Sequence, residues 1–182
     1  MISDFVKGKK KFDYPSGIQK GIMLHRAIDT FTDTHEATKQ AKEIFRPVYR
    51  LYSGAFVDVL YDHFLAVDAT EFTEESLFVF SQQVYAVLDK NTQWMPEYFT
   101  RMFPFMKQHN WLLNYRTYLG VQKSLGGVVR RSAYLTESDI AFDLFQQHYQ
   151  LLQDCYRHFW AAVKPFALQQ LDLLQNDTTT NT

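Results

Sequence analysis

Apolar residues recur three and four positions apart along most of the chain, the spacing that places side chains on one face of an α-helix. No run of alternating apolar and polar residues lies between hairpin turns, so no strand is predicted. The pattern therefore indicates an all-α fold. Helices are expected over residues 16–34, 36–67 with a break near Ser53 and Gly54, 73–89, a shorter stretch ending near His109, 111 to the loosening pair Gly126–Gly127, and about 137–175.

The length of 182 residues suits one domain with one core. Hydrophobic residues form 46% of the chain, whereas Gly and Pro number only 7 and 5, which favours a helical bundle with few loops. We expect a single-domain helical bundle over residues 1–176. The polar stretch 177–182 has too few apolar side chains to pack and is expected to form a disordered tail.

Charge and cysteine content narrow the classes of partner and compartment. The formal net charge of −1 gives no global attraction to nucleic acid or to a membrane, so neither is expected as a partner. No apolar run approaches the length of a membrane-spanning helix. The single cysteine, Cys155, cannot form an internal disulfide, and no leader-like segment opens the chain, so a cytoplasmic location is expected.

The segment GIMLHRAIDTFTDTH carries three polar side chains at successive intervals of four. His25, Asp29 and Asp33 lie one above another on the same face of the predicted helix. An imidazole and two carboxylates in one column either face water or bind something.

A second column lies in the strongly apolar segment that ends in DVLYDHFL. Asp58 and Asp62 are again four residues apart, and His63 follows directly. Unpaired charges on such a helix are costly, so these carboxylates need a partner. Two partners remain open, a cation or a salt-bridge network with the nearby arginines Arg26, Arg46 and Arg50.

Together the two columns offer imidazole and carboxylate ligands on two apolar helices, and Asp4 adds another carboxylate. This donor set suits Mn²⁺, Mg²⁺, Fe²⁺ or Zn²⁺, and the absence of cysteine ligands argues against a structural thiolate zinc site. A divalent ion activates water and neutralises charge on a phosphoryl oxygen. The spacing therefore indicates a metal-dependent hydrolase, with a phosphate ester as the natural substrate.

Four segments in this order resemble the bacterial acyl carrier protein phosphodiesterase family: SDFVKGK, GIMLHRAIDTFTD, DVLYDHFL and WLLNYRTYLGVQKSLGGVVRR. The resemblance covers nearly the whole chain, and its HRxID and DHFL motifs are quite specific. It implies a helical fold related to the HD-type metal-dependent phosphohydrolases. It also implies removal of the 4'-phosphopantetheine group from holo acyl carrier protein, with Mn²⁺ as the preferred ion. Members of the family carry a further short segment with a histidine ahead of the DFVKG motif, whereas this sequence begins almost at that motif, so one ligand of the family is expected to be missing here.

The resemblance also implies roles for single residues. The expected metal ligands are Asp4, His25, Asp62 and His63. Asp29, Asp33 and Asp58 are expected as further ligands or as groups that orient the imidazoles, and we assign Asp29 and Asp58 catalytic roles.

Basic residues supply candidate substrate contacts. Arg26 follows His25 directly, and it either holds a phosphate oxygen in catalysis or pairs with a column carboxylate. The remaining candidates either bind the acidic carrier protein or are ordinary surface charges: Lys9, Lys10, Arg116, Arg130 and Arg131.

Two rival functions stay open. One is an HD-like phosphohydrolase that acts on a nucleotide or another small phosphodiester. The other is a helical module that binds acyl carrier protein without turnover. Metal content separates the second from an enzyme, since a pure binding module needs no stoichiometric metal ion.

Overall fold

A computed structural model describes residues 3–176, apart from the side chain of Asp4. These residues form a single helical domain without strands, which confirms the all-α prediction. The predicted tail 177–182 lies outside the described residues. The α-helices of the described chain are α1 (Ser16–Thr34), α2 (Glu36–Tyr49), α3 (Ser53–Val67), α4 (Glu74–Asp89), α5 (Glu97–Gln108), α6 (Trp111–Asn114), α7 (Tyr118–Arg131), α8 (Asp139–Gln147) and α9 (Tyr149–Asn176).

Helix α3 lies at the centre of the bundle. It packs against α2, α7 and α9, while α1 and α2 both pack along the long helix α9. Phe56, Leu60 and Phe64 of α3 are almost completely buried and belong to the main hydrophobic core. Because so much of α3 is covered, only a narrow stripe of this helix reaches solvent, and that stripe contains Asp58 and Asp62.

The break between α2 and α3 comes earlier than the sequence predicts. Helix α2 ends at Tyr49, a short 3₁₀ turn covers Arg50–Tyr52, and α3 begins at Ser53. Arg50 adopts a positive φ of 48°, and the Ser53 hydroxyl donates a 2.6 Å hydrogen bond to the Arg50 carbonyl. The turn therefore depends on the backbone of Arg50, whereas Ser53 and Gly54 are the first residues of the next helix.

The Gly126–Gly127 pair does not loosen a helix, contrary to the prediction, because both glycines lie inside α7. The chain breaks instead at Tyr115–Thr117, where the Thr117 side chain caps α7 by accepting from the Gly120 backbone N–H at 2.9 Å. A Cβ atom at Gly120 would lie 1.9 Å from the carbonyl oxygen of Asn114. Gly120 is therefore the glycine that this turn requires.

The last predicted helix is divided at His148 into α8 and α9, and α9 continues as a helix through Pro165. By contrast, α1 has the predicted ends, and α4 starts at the predicted cap, where Thr73 and Ser76 form a reciprocal capping box. No helix in the described part of the chain combines the length and apolar character needed to cross a membrane.

We expect Gly120→Ala to lower the free energy of unfolding by more than about 2 kcal/mol, because the new methyl group would overlap a backbone carbonyl. Gly127→Ala is the matched control. There the nearest atom is the Arg130 guanidinium at 3.7 Å, so the better helix propensity of Ala should raise stability by about 0.5 to 1 kcal/mol. Urea unfolding measures both effects, and equal effects at the two positions would contradict the assignment.

Candidate active site

The two polar columns predicted from the sequence face each other across a cleft between α1 and α3. Asp29 and Asp33 of α1 both lie close enough to Asp58 of α3 for their negative charges to act on it. The two helices are held in this arrangement because α1 and α3 both pack on α2 and α9. The described parts of both columns thus contribute to one acidic cleft.

His25 and Asp29 form a pair within the α1 column. Nδ1 of His25 lies 2.8 Å from a carboxylate oxygen of Asp29, and both side chains are partly exposed. When Nδ1 carries the proton and donates a hydrogen bond to this carboxylate, Nε2 is the ring nitrogen whose lone pair is available to a metal ion. A histidine with a carboxylate behind it is the usual arrangement of a metal-binding imidazole, because the carboxylate fixes the tautomer and the ring orientation.

Asp58 is the most perturbed carboxyl group of the cleft. It is accessible to solvent, yet the surrounding protein removes part of its water. This desolvation, followed by repulsion from Asp62, raises the pKa of Asp58 to about 7, and the charge of Lys42 only partly opposes the rise. A carboxylate whose ionised form is repelled by its neighbours gains from the arrival of a cation.

Asp62 lies one helical turn further along the same stripe. Desolvation raises the pKa of Asp62 to about 6, and a hydrogen bond from the Tyr115 hydroxyl opposes the rise. The Tyr115 hydroxyl also hydrogen-bonds Ser124 of α7. Tyr115 therefore acts on Asp62 from the side of α7, an interaction that the sequence did not reveal because nothing in the local pattern pairs residues 53 positions apart.

Lys42 is a second residue that the sequence reasoning missed. It projects from α2, pairs with Asp33 at 2.7 Å, and is largely buried at the edge of the cleft. Its side chain lies across Gly54, where an added Cβ would be 3.3 Å from the lysine Cε. Lys42 thus connects the α1 column to α3.

Lys42 supplies only part of the salt-bridge network that the sequence left open as the alternative to a cation. Within residues 3–176, none of the three predicted arginine partners pairs with a column carboxylate. Arg46 pairs with Glu43 at 2.7 Å, and Arg26 donates to the Val6 carbonyl at 2.5 Å. One lysine against four carboxylates leaves the cleft negative.

His63 has different surroundings. It follows Asp62 by one position, which turns its side chain about 100° around the helix. The ring is buried among aromatic side chains of the core, with Phe145 and Tyr149 in edge contact. Nδ1 donates to the Tyr115 carbonyl at 2.7 Å, and Nε2 has no hydrogen-bond partner in the described structure.

Burial lowers the pKa of His63, which favours a neutral imidazole in the core. This placement favours a structural role: His63 binds the backbone carbonyl of Tyr115, and the hydroxyl of Tyr115 acts on Asp62. The metal-ligand role of His63 stays a prediction without geometric support.

The fit of the cleft to a metal ion rests on the chemistry of its donors. No three His, Cys, Asp or Glu side chains of the described residues converge closely enough to hold an ion. The predicted ligand Asp4 has its side chain outside the described residues. An oriented imidazole and two solvent-accessible carboxylates with raised pKa values nevertheless form a donor set that suits a hard or borderline divalent ion.

The predicted substrate-binding residues have varied surroundings. Arg116 donates a 2.6 Å hydrogen bond to the Ala66 carbonyl at the end of α3, and the Arg130 guanidinium lies along α7 over Gly126 and Gly127. Both therefore have local partners that account for their positions.

Arg131 lies nearer to the cleft. Burial and the Asp62 carboxylate raise the pKa of Tyr115, and the charge of Arg131 opposes that rise. Lys9 and Lys10 are exposed in the 3₁₀ segment Gly8–Asp13, which packs near the start of α1. Of the five predicted substrate contacts, Arg131 is therefore the one whose charge acts on Tyr115, the residue beside Asp62.

Comparisons with known proteins point in one direction. A family model described as acyl carrier protein phosphodiesterase matches residues 1–163. A protein of that name from Yersinia pestis is 31% identical over 161 residues, covering 88% of this chain and 83% of the relative. One from Photorhabdus laumondii is 29% identical over 150 residues, covering 82% and 76%. No solved structure matches the chain.

We expect Asp58→Asn to stabilise the metal-free protein at alkaline pH. The folded-state pKa of about 7 lies above the ordinary value of 3.8, so the folded protein binds more protons than the unfolded chain between these values. Wild-type stability should therefore fall as pH rises through this window. Because the carboxylate reaches solvent, the expected gain in the free energy of unfolding is only about 1 kcal/mol near pH 8.

Urea unfolding in chelator measures this gain. Near pH 5 the gain should be smaller, because the folded-state carboxyl group is then mostly protonated. Asp172→Asn, at an exposed position of α9, is the control. The same gain at both pH values, or an equal gain in the control, would contradict the repulsion described for Asp58.

A second prediction concerns the hydroxyl group that holds Asp62. Tyr115→Phe removes a hydrogen bond that lowers the pKa of Asp62, so this pKa should rise above its value of about 6. Carboxyl ¹³C NMR of the metal-free protein follows the titration. Tyr134→Phe, in which the ring is 84% exposed, is the control. An unchanged Asp62 titration in Tyr115→Phe would show that the hydroxyl does not hold the carboxylate.

Proposed function

The chain belongs to the acyl carrier protein phosphodiesterase family, and from that membership we propose that it hydrolyses the phosphodiester that joins 4'-phosphopantetheine to holo acyl carrier protein. The products would be the apo carrier protein and free 4'-phosphopantetheine. The observation that carries the proposal is the cleft in which the α1 column meets Asp58 and Asp62, since repelling carboxylates beside an oriented imidazole suit phosphate-ester hydrolysis.

The proposed activity depends on a divalent ion, with Mn²⁺ as the first candidate and Mg²⁺, Fe²⁺ or Zn²⁺ as the others. His25 and Asp62 would hold it, together with Asp4. When bound, the ion supplies a lowered pKa for a water molecule and positive charge beside the phosphoryl oxygens.

The other residues of the cleft orient these ligands. Asp29 fixes the ring of His25, and Tyr115 fixes the carboxylate of Asp62. Asp58, the other carboxylate of the α3 stripe, would accept the proton of the attacking water. We also propose that the fold is related to that of the HD-type metal-dependent phosphohydrolases.

Two arginines have distinct proposed roles. Arg131, whose charge acts on Tyr115, would contact a phosphate oxygen. Arg26 anchors the segment around Val6 against α1 through the Val6 carbonyl, so its contribution is to position the chain next to the predicted ligand Asp4.

Mass spectrometry of holo acyl carrier protein tests the proposal directly. Metal-depleted protein should leave the carrier unchanged, and protein reloaded with Mn²⁺ should remove the mass of the phosphopantetheine group. Asp29→Asn should lower kcat/KM by about 10 to 100-fold through the loss of His25 orientation, and Asp62→Asn should lower it further. Asp89→Asn, on α4 and outside the cleft, serves as the matched control.

The result that overturns the proposal is an intact holo carrier with the metal-loaded protein. If a nucleotide or another small phosphodiester is then hydrolysed, the chain is a phosphohydrolase whose substrate is not the carrier protein. If no phosphodiester is hydrolysed while the carrier still binds, the chain is a binding module.

A further inference from the structure

A basic cavity lies beside the acidic cleft, at the turn between α2 and α3. It has a volume of about 390 Å³, and its charged lining consists of Lys42, Arg46, Arg50 and Asp33. Three cations against one carboxylate give this lining a charge of +2 (3 − 1). The cavity therefore has the opposite sign to the neighbouring cleft, on a chain whose formal net charge is only −1.

The turn also presents an apolar side chain to solvent. Leu51 is 99% exposed and lines the same cavity. The positive φ of Arg50 places it in a conformation that L-residues adopt rarely and that persists only where the surroundings hold it. The Ser53 hydroxyl, which binds the Arg50 carbonyl at 2.6 Å, provides such a constraint. The fold thus holds one leucine between basic side chains without covering it.

Arg46 and Arg50 remain accessible for contacts with a partner. Arg46 is exposed and its one described ion pair, with Glu43, is itself a surface contact. Arg50 makes no ion pair with any residue of the described chain. Such exposed pairs are weak, so a carboxylate on a partner can compete for these guanidinium groups.

The cavity is directly connected to the cleft. Asp33 belongs both to the α1 column and to the cavity wall, and Lys42 reaches from the wall to Asp33 and across Gly54. Asp58 follows Gly54 by one helical turn. In the proposed substrate the scissile ester lies at the attachment point on the carrier protein, so the carrier must contact the rim of the cleft.

From this placement, and resting on the proposed function, we propose that the cavity formed by Lys42, Arg46, Arg50 and Leu51 is the docking surface for an acidic helix of the carrier protein. Carboxylates of that helix pair with Arg46 and Arg50, and an apolar side chain between them covers Leu51. Lys9 and Lys10 are the competing docking site, but they lie near the start of α1, whereas Asp33 lies near its end.

Binding of apo carrier protein tests the surface without any need for turnover. The double variant Arg46→Glu/Arg50→Glu should raise the Kd measured by calorimetry about tenfold or more and should flatten its salt dependence. Leu51→Ser should raise the Kd about tenfold through lost apolar contact, with little change in salt dependence. Circular dichroism and thermal unfolding confirm that each variant is folded.

Two further variants serve as references. Arg101→Glu is the matched control, since Arg101 is an exposed arginine that pairs with Glu97 on α5, outside the cavity. It should bind the carrier as the wild type does. Lys9→Glu/Lys10→Glu tests the competing site and should raise the Kd less than the cavity variants do.

The docking proposal is overturned if the cavity variants bind apo carrier with wild-type affinity, or if Lys9→Glu/Lys10→Glu alone weakens binding. Failure of the proposed function has a different signature. In that case wild-type protein leaves holo carrier intact, while the series of Kd values still shows whether the carrier binds at the cavity.

Discussion

Helix α3 must bury most of its circumference and still carry Asp58 and Asp62 on its remaining stripe, and the arrangement of the neighbouring helices follows from this constraint. Aromatic and aliphatic side chains of α3 fill the main core from several sides. Both carboxylates lose part of their water, which raises both pKa values, and repulsion from Asp62 raises the pKa of Asp58 further. Like charges placed one turn apart beside a hydrophobic core are costly unless an opposite charge compensates them.

Three neighbouring parts of the fold bring polar groups to this stripe. Helix α1 brings the His25–Asp29 pair, and α2 brings Lys42, while the Tyr115 hydroxyl reaches Asp62 from the segment that precedes α7. These groups orient the carboxylates without neutralising them. In the proposed function, the remaining negative charge would hold a divalent ion, and the basic cavity at the neighbouring turn would attract an acidic protein substrate.

Local signals predicted much of this organisation. The intervals of four placed His25, Asp29 and Asp33 on one face of a helix with the expected ends, and the Thr73 cap located the start of α4. The errors came from non-local contacts. Gly126 and Gly127 look like a helix breaker in sequence, but the glycine that the backbone requires is Gly120, because the carbonyl of Asn114 approaches it.

Non-local contacts also limited what the sequence could predict about the candidate active site. His63 stands beside Asp62 in sequence, but adjacent residues on a helix point in different directions, and its ring enters the aromatic core. Lys42 and Tyr115 reach the cleft through packing between helices, which no spacing rule in a single sequence reveals. The resemblance to a family indicated the chemistry, whereas the orientation of the carboxylates became visible only in the fold.

The central claim is that the cleft between α1 and α3 is a cation site. Anomalous diffraction from crystals grown with Mn²⁺ tests it most directly, since the signal locates the ion independently of activity. The account predicts a peak at coordination distance from His25 and Asp62. A peak only elsewhere in the protein, or no peak between these two helices in crystals grown from a solution that contains Mn²⁺, would contradict it.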